Sequence, residues 1–385
     1  MSKPNILVIT THDSGRHFGC YGRQTVHSPR IDALAESGVQ LDAHFAAVPI
    51  CCASRASMMT GLYPQHHGLL DLCFPPFNWK LHDDVRHLSQ YLHDAGYRTH
   101  LFGLQHEVMD LDRLAFDAHH AGQAPQGGRA TCTDVAESLA TFLKEHGRAD
   151  KPLYAQVGFF ETHTPFGFGG VEPDDSLGVD LPAHLDPDDP TNHKELAHLQ
   201  GALRKVDEAV GMILDALDDA GMTDDTIVVF TTDHGLEVPR AKWHLYDPGI
   251  EIACIIRWPN GGLAGGRHVA DLTSNVDFTP TILDLAGLTV PSGLDGVSLA
   301  DRLRSDESPP PRDVVFGYYQ KKDNRCVRTS RYKLIRHFTF AVDNRKPVRY
   351  DQLMAVGVAK PVQLYDLLKD PVEFHDVSDD PAYAE

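Results

Sequence analysis

Apolar runs that stop at clusters of polar residues constrain this chain more than any other feature. Asn5–Thr10 (NILVIT) is apolar without alternation, as in a strand buried on both faces of a sheet, and it runs straight into Thr11-His12-Asp13. Thr226–Thr231 (TIVVFT) runs into Thr232-Asp233-His234-Gly235, and Leu153–Phe160 (LYAQVGFF) into Glu161-Thr162-His163. A strand from Tyr97 runs into Gly103-Leu104-Gln105-His106. Helices are predicted between the strands. Ser28–Gly38 has a Ser cap, Pro at the first helical position and a Gly stop. Others are His87–Gly96, Thr279–Ala286, and Glu195–Gly221 with its stripe Leu196, Leu199, Leu203, Val206, Val210, Ile213, Leu217. Ile252–Arg257 reads as a further strand. This alternation predicts an α/β fold, a large mostly parallel sheet sandwiched by helices. Ligands of such sheets sit outside the carboxyl ends of the strands, so the four polar ends converge on one edge. Two carboxylates with a His there suit a divalent metal. A single Asp after a strand is as readily a turn or a cap. The four ends together indicate an α/β enzyme and nothing narrower.

The 385 residues suffice for about two domains, or one large domain with an appendage. With 42% hydrophobic and 23% charged residues the chain can bury a sizeable core. Gly167–Thr191, rich in Pro, Asp and Gly, reads as a long loop, and Ser305–Pro311 (SDESPPP) as a linker. That divides the chain into 1–304, the catalytic unit, and 312–385, where Val314–Tyr319, Arg325–Thr329 and Tyr332–Phe338 form a small antiparallel sheet closed by a segment around Leu364–Leu368. No apolar run approaches the roughly 18–20 residues of a membrane span, so no membrane partner is expected. The opening MSKPNILVIT reads as a first strand rather than a signal peptide, and the seven scattered Cys as reduced thiols, which together predict a cytoplasmic protein. A net charge of −19 argues against nucleic acid as a partner, and it requires local cations or a metal if the substrate is an anion.

The stretch Pro49–Gly68 (PICCASRASMMTGLYPQHHG) resembles the sulfatase signature C-x-(P/A)-S-R followed by T-G: Cys51 first, Cys52 free, Ala53 at the Pro/Ala position, then Ser54-Arg55 and Thr60-Gly61. Other parts match that family in order. They are Ile9–Gly22 with the helix after it, Tyr97–His106, the T-H-x-P loop in Phe159–Pro165, Asp225–Gly235, Lys242, Arg328–Leu334 and Leu364–Pro371. The wording HDSGR-x-x-GCYG and GLQHE is similar to the bacterial heparan N-sulfatase-like branch. The resemblance implies an alkaline-phosphatase-like fold and a sulfate ester or sulfamate, on a sugar or other small molecule, as substrate. It also implies that a formylglycine-generating enzyme oxidises Cys51 to Cα-formylglycine. Hydrated to a gem-diol, that group offers one hydroxyl to attack sulfur and a second whose deprotonation collapses the hemiacetal and expels sulfate; a serine could do only the first step. A helix starting near Ser54 would point its N-terminus at the anion, with Arg55 beside it as a fixed cation.

By the same resemblance Asp13, Asp233 and His234 hold a divalent cation together with residue 51. Calcium is expected, with the imidazole leaving manganese and zinc open. His12 stands where many relatives have Asp, and is a ligand, an orienting group or neither. Lys242 and His163 would bind sulfate and assist the leaving group, and His106 would be the base for hemiacetal collapse. Two departures stand out. Leu104 replaces the family's Lys, removing a positive charge that Arg55 or Arg240 would have to supply unless the substrate needs less. Ala53 replaces Pro, which some maturation enzymes tolerate less well. Two other readings remain. One is a phosphonate monoester or phosphodiester hydrolase of the same superfamily. The other is a non-catalytic relative that binds sulfated glycans.

Overall fold

The computed structural model describes residues 3–121, 129–320, 323–338 and 360–384. Its strands are β1 (Asn5–Thr11), β2 (Val39–Phe45), β3 (Arg98–Gly103), β4 (Ala118–His120), β5 (Leu153–Gly158), β6 (Thr226–Thr232), β7 (Cys254–Arg257), β8 (Arg267–Ser274), β9 (Val315–Tyr319), β10 (Asn324–Arg328), β11 (Tyr332–His337) and β12 (Val362–Asp366). Its helices are α1 (Pro29–Ser37), α2 (Cys51–Thr60), α3 (Pro64–His67), α4 (Leu88–Asp94), α5 (Cys132–His146), α6 (Pro190–Asp219), α7 (Asp247–Ile250), α8 (Phe278–Leu285) and α9 (Ala300–Arg304). Strands β1–β8 form one sheet in the order β4-β3-β5-β1-β6-β7-β2-β8, in which only β7 runs antiparallel to its neighbours. Strands β9–β12 form a separate antiparallel sheet, so the predicted closing segment is its fourth strand.

The unbroken apolar run of β1 has the predicted cause. Leu7 and Ile9 pack into one core with α1, α5 and α6, while Ile6 and Val8 pack into another with α4, α8 and α9. All seven residues of the predicted α6 stripe are buried. The helix begins at Pro190, a turn before the sequence pattern does, because Asp189 caps it through Thr191 N. Helix α5 was not foreseen, although Thr131 and Asp134 form a capping box before apolar Val135, Leu139 and Phe142.

A third core lies under α2. It joins Ile50, Cys52 and Ala56 to Val315, Tyr319, Ile335 and Tyr365 of the second sheet. Ionic contacts reinforce this junction. Lys333 of β11 is fully buried, with Nζ 3.0 Å from both Glu373 Oε1 and Leu245 O and in contact with Asp247, which also takes a forked contact from Arg328 at 3.0–3.2 Å. Among the described residues no helix is long and apolar enough to cross a membrane. All seven cysteines are unpaired.

Candidate active site

Strands β3, β5, β1 and β6 are consecutive in the sheet, so the four polar ends meet at one edge as the sequence predicted. Close backbone approach keeps the first two ends together. Leu104 N donates to Gly158 O at 2.8 Å, and a Cβ on Gly158 would lie 1.9 Å from Leu104 O, so only glycine fits there. Asp13 turns the chain with φ of 45°, a conformation Asp tolerates, and its N–H donates to Asp233 Oδ1 at 3.0 Å.

Helix α2 brings the signature to this edge. It begins at Cys51 itself, three residues earlier than the sequence reading placed it, and ends at Gly61 in the left-handed conformation (φ 70°). The S-R pair locks the helix onto the β6 end. Ser54 Oγ donates to Asp233 O, and Asn275 Nδ2 donates to Ser54 O and Oγ at 3.0 and 2.9 Å. Arg55 donates from Nε to Asp233 Oδ2 (3.1 Å), from Nη1 to Thr10 Oγ1 (2.9 Å) and from Nη2 to Thr11 O (2.9 Å). Arg55 also stays within electrostatic reach of Cys51, which helps to hold it charged. It is wholly buried beneath Asp233, and its three nitrogens hold the frame of the site. No side chain caps the start of α2, so its first N–H groups remain for an anion or water.

Around Cys51 the buried groups cluster tightly. Its Sγ and ring nitrogens of His12 and His106 lie within 4.8 Å of one another; so do ligand atoms of His12, Asp13 and Asp233, and those of Asp13, His163 and Glu237. His12 Nδ1 is 3.0 Å from Asp233 Oδ2, and His234 Nε2 is 3.0 Å from Asp13 Oδ1. Yet His12 Nδ1, His234 Nε2 and Asp13 Oδ1 make no hydrogen bond. Buried polar atoms this close but unbonded stand side by side, as ligands of one cation do. The donor set therefore fits a divalent metal held by Asp13, Asp233, His234 and His12. The place of His12, open on sequence grounds, is at the centre of the cluster.

The electrostatics agree. Burial would raise the Asp13 carboxyl, but Lys242 and His234 hold it well below the usual range; His234, His12 and Arg55 do the same for Asp233. Burial and then Arg55 lower His12 to about 4, leaving it a neutral imidazole able to ligate. Burial disfavours the His234 imidazolium, but the Asp233 and Asp13 carboxylates outweigh it and raise the group to about 10. That proton marks a field which a bound cation would satisfy instead, releasing it. The Cys52 thiol donates to Cys51 and, against burial and together with His106 and His234, holds Cys51 well below the ordinary thiol range. Burial pushes Cys52 the other way, and its Sγ lies 3.6 Å from Cys73 Sγ.

The remaining predicted residues border the same space. His106 packs edge-on against His12, ring centroids 4.9 Å apart, and its Nδ1 is buried without a hydrogen bond. His163 stacks on Phe160 at 5.1 Å and meets His12 at 5.5 Å. Lys242 Nζ lies between Asp13 Oδ2 (2.7 Å) and Glu237 Oε2 (3.1 Å). Sequence reasoning missed Glu237, which also accepts from Thr164 Oγ1 at 2.7 Å and so ties the His163 loop to Lys242. It missed Glu107 as well, buried next to His106 and accepting from the His106 N–H at 2.9 Å. Arg240 does not stand in for the lysine absent at Leu104: it donates to Glu373 O at 2.7 Å and lies 4.0 Å over the Tyr246 ring.

A family model described as Sulfatase matches residues 4–288, and one described as N-sulphoglucosamine sulphohydrolase, C-terminal, matches residues 240–385. Human N-sulphoglucosamine sulphohydrolase is 28% identical over 99% of this chain and 87% of its own length. An ulvan-active sulfatase of Formosa agariphila is 26% identical over 99% of this chain and 77% of its own. Among solved structures, phosphonate monoester hydrolase of Agrobacterium radiobacter superimposes with a TM-score of 0.77 at 22% identity, covering 99% of this chain and 93% of that one. A protein solved with its substrate D-glucosamine-2-N,6-O-disulfate gives 0.76 at 19%, covering 100% and 95%. The two structural likenesses bear on the fold, which is that of the alkaline-phosphatase-like sulfatases. Because the first family model spans most of the sequence, the chain belongs to the sulfatase family of sulfuric ester hydrolases.

Proposed function

We propose that this chain hydrolyses a sulfamate or sulfate ester on a glucosamine-type sugar, with residue 51 matured to formylglycine by a generating enzyme and a divalent cation beside it. The observation that carries the reading is the position of Cys51. It is the first residue of α2 and is packed with His12 and His106 against the Asp13/Asp233 pair. The matches to N-sulphoglucosamine sulphohydrolase support the sugar class. When present, formylglycine supplies an oxygen nucleophile, and the cation supplies charge neutralisation and a lowered hydroxyl pKa. The protein's own groups do the rest. The start of α2 offers N–H donors to the anion. His106, within 4.8 Å of residue 51, accepts its proton. Lys242, joined to His163 through Glu237, offers N–H donors toward the leaving group, and His163, whose Nδ1–H is given to Thr164 O, keeps Nε2 for it. Phe160 and Phe74, packed on His163 and His106, exclude water.

Two imidazoles among four donors suit manganese or zinc better than calcium, which takes oxygen ligands. Chelator-treated protein should therefore gain more thermal stability from Mn2+ or Zn2+ than from Ca2+. The gain should be about 2.7 kcal/mol at a hundredfold excess over Kd, read by differential scanning calorimetry. A larger gain with Ca2+ would reverse this assignment.

One observation favours a second reading, phosphonate monoester hydrolysis. The first loop has one carboxylate, Asp13, and Asp233 is followed by His234 rather than a third oxygen ligand. Matured protein assayed on aryl sulfate, N-sulfated glucosamine and aryl phosphonate decides between them. A sulfur substrate is expected to lead, and phosphonate turnover far above both sulfur substrates would replace the sulfatase reading.

A further inference from the structure

A chain of net charge −19 draws in an anionic sugar only through local positive charge, and most cations around this site are already engaged. Arg55 is bound beneath Asp233, Lys242 lies between Asp13 and Glu237, and Arg240 holds the Glu373 backbone. Leu104 contributes no charge. Arg129 differs. It is exposed, and among the described residues it forms no ion pair or hydrogen bond. Its guanidinium lies 4.3 Å over the ring of Phe160. Phe160 is itself buried, stacks on His163 at 5.1 Å and lies 6.2 Å from the His12 ring. Arg129 and Leu104 line one small recess together with Phe160 and Gly158.

We infer that Arg129 determines specificity by binding a second anionic group of the substrate, a sulfate or carboxylate on the sugar other than the group cleaved. The geometry separates the two anions. The group cleaved must lie at residue 51 and the Asp13/Asp233 pair, and Arg129 is removed from His12 by the Phe160 ring. The contact with that ring holds the guanidinium in place, and among the described residues its N–H groups have no hydrogen-bond partner; they match a sulfate or carboxylate with two parallel hydrogen bonds. A sugar seated over the His163–Phe160 stack would carry its second anion to this edge.

The inference rests on the proposed hydrolysis of sugar sulfates, and its test separates the two. Matured wild type, Arg129→Ala and Arg129→Lys are assayed on D-glucosamine-2-N,6-O-disulfate and on D-glucosamine-2-N-sulfate. In Arg129→Ala the ratio of kcat/KM for the disulfate to that for the monosulfate falls about tenfold or more, as loss of a charge-assisted hydrogen-bonded pair requires. The change sits in KM, and Arg129→Lys recovers part of it. An unchanged ratio, or equal losses on both sugars, overturns the inference. Calorimetric binding of the disulfate to unmatured protein is the second readout. If wild type hydrolyses neither sugar yet binds the disulfate about tenfold more tightly than Arg129→Ala, the hydrolase reading fails and this one stands. If the two proteins bind it equally, or neither binds it, this inference fails.

Discussion

Cys51→Ala should abolish sulfate hydrolysis, with kcat/KM falling on the order of 10⁴-fold or more, the scale set by removing a nucleophile. Cys52→Ala should keep most of it. The neighbours are alike in composition and opposite in placement. Cys51 opens α2 among His12, His106 and His234, where a reacting oxygen would meet the cation. Cys52 is wholly buried against Cys73 and Ala53 in the core that α2 shares with the second sheet. Truncating Cys52 removes one sulfur from packing and a donor to residue 51, a stability loss of about 1 kcal/mol that leaves the site assembled. Steady-state assay of 4-nitrophenyl sulfate, with mass spectrometry of the residue-51 peptide in each variant, checks both. Full activity in Cys51→Ala, or its loss in Cys52→Ala with the protein folded and residue 51 converted, would show that the wrong sulfur has been chosen.

The largest effect on stability is expected far from the chemistry, at Lys333→Met. Removing the ammonium strands Glu373 in a buried place and takes one of two cations from Asp247, and breaking a buried charge cluster in this way costs about 3–5 kcal/mol. Asp247 keeps Arg328, but Glu373 has no other cation within salt-bridge distance among the described residues. The deficit should depend on pH in a definite direction. Burial raises the Glu373 carboxyl to about 7 even against Lys333, and the loss of Lys333 raises it further. Protonated Glu373 needs no counter-charge, so the deficit shrinks as pH falls through about 7 and widens above it. Urea unfolding at pH 6 and pH 8 measures this. Arg331→Ala, which breaks the pair between the half-exposed Arg331 side chain and Asp366 of β12, is the control and should change little. An equal deficit at both pH values would remove Glu373 from the account.

How much of this could be read beforehand depends on whether a feature is local. The four strand ends were legible because each is a contiguous run followed by its own polar group, and sheet topology alone brings them together. The signature was legible because its residues lie on a single helix. The roles of Ser54 and Arg55 were not, since their partners Asn275 and Asp233 are more than 170 positions away. Arg55 read as a cation for substrate, and its bracing contacts to Asp233, Thr10 and Thr11 carried no signal of their own. Glu237 and Arg129 carry no motif and gain meaning only from Lys242 and Phe160. Strands β2 and β8 were passed over because polar residues interrupt both, as in VQLDAHF. Helix α5 is the exception, a local element with a readable cap and the apolar positions Val135, Leu139 and Phe142 that the sequence reading did not include.

Every residue of α2, the one bearing the thiol included, lies below the surface of the finished protein. A second enzyme cannot reach that sulfur once the chain has closed over it. If residue 51 is matured as proposed, oxidation would have to win a race against folding, and the fraction of competent molecules would be decided while the polypeptide is still being made. Slower synthesis or a more abundant oxidase would raise the active yield, whereas treating the purified thiol form would come too late.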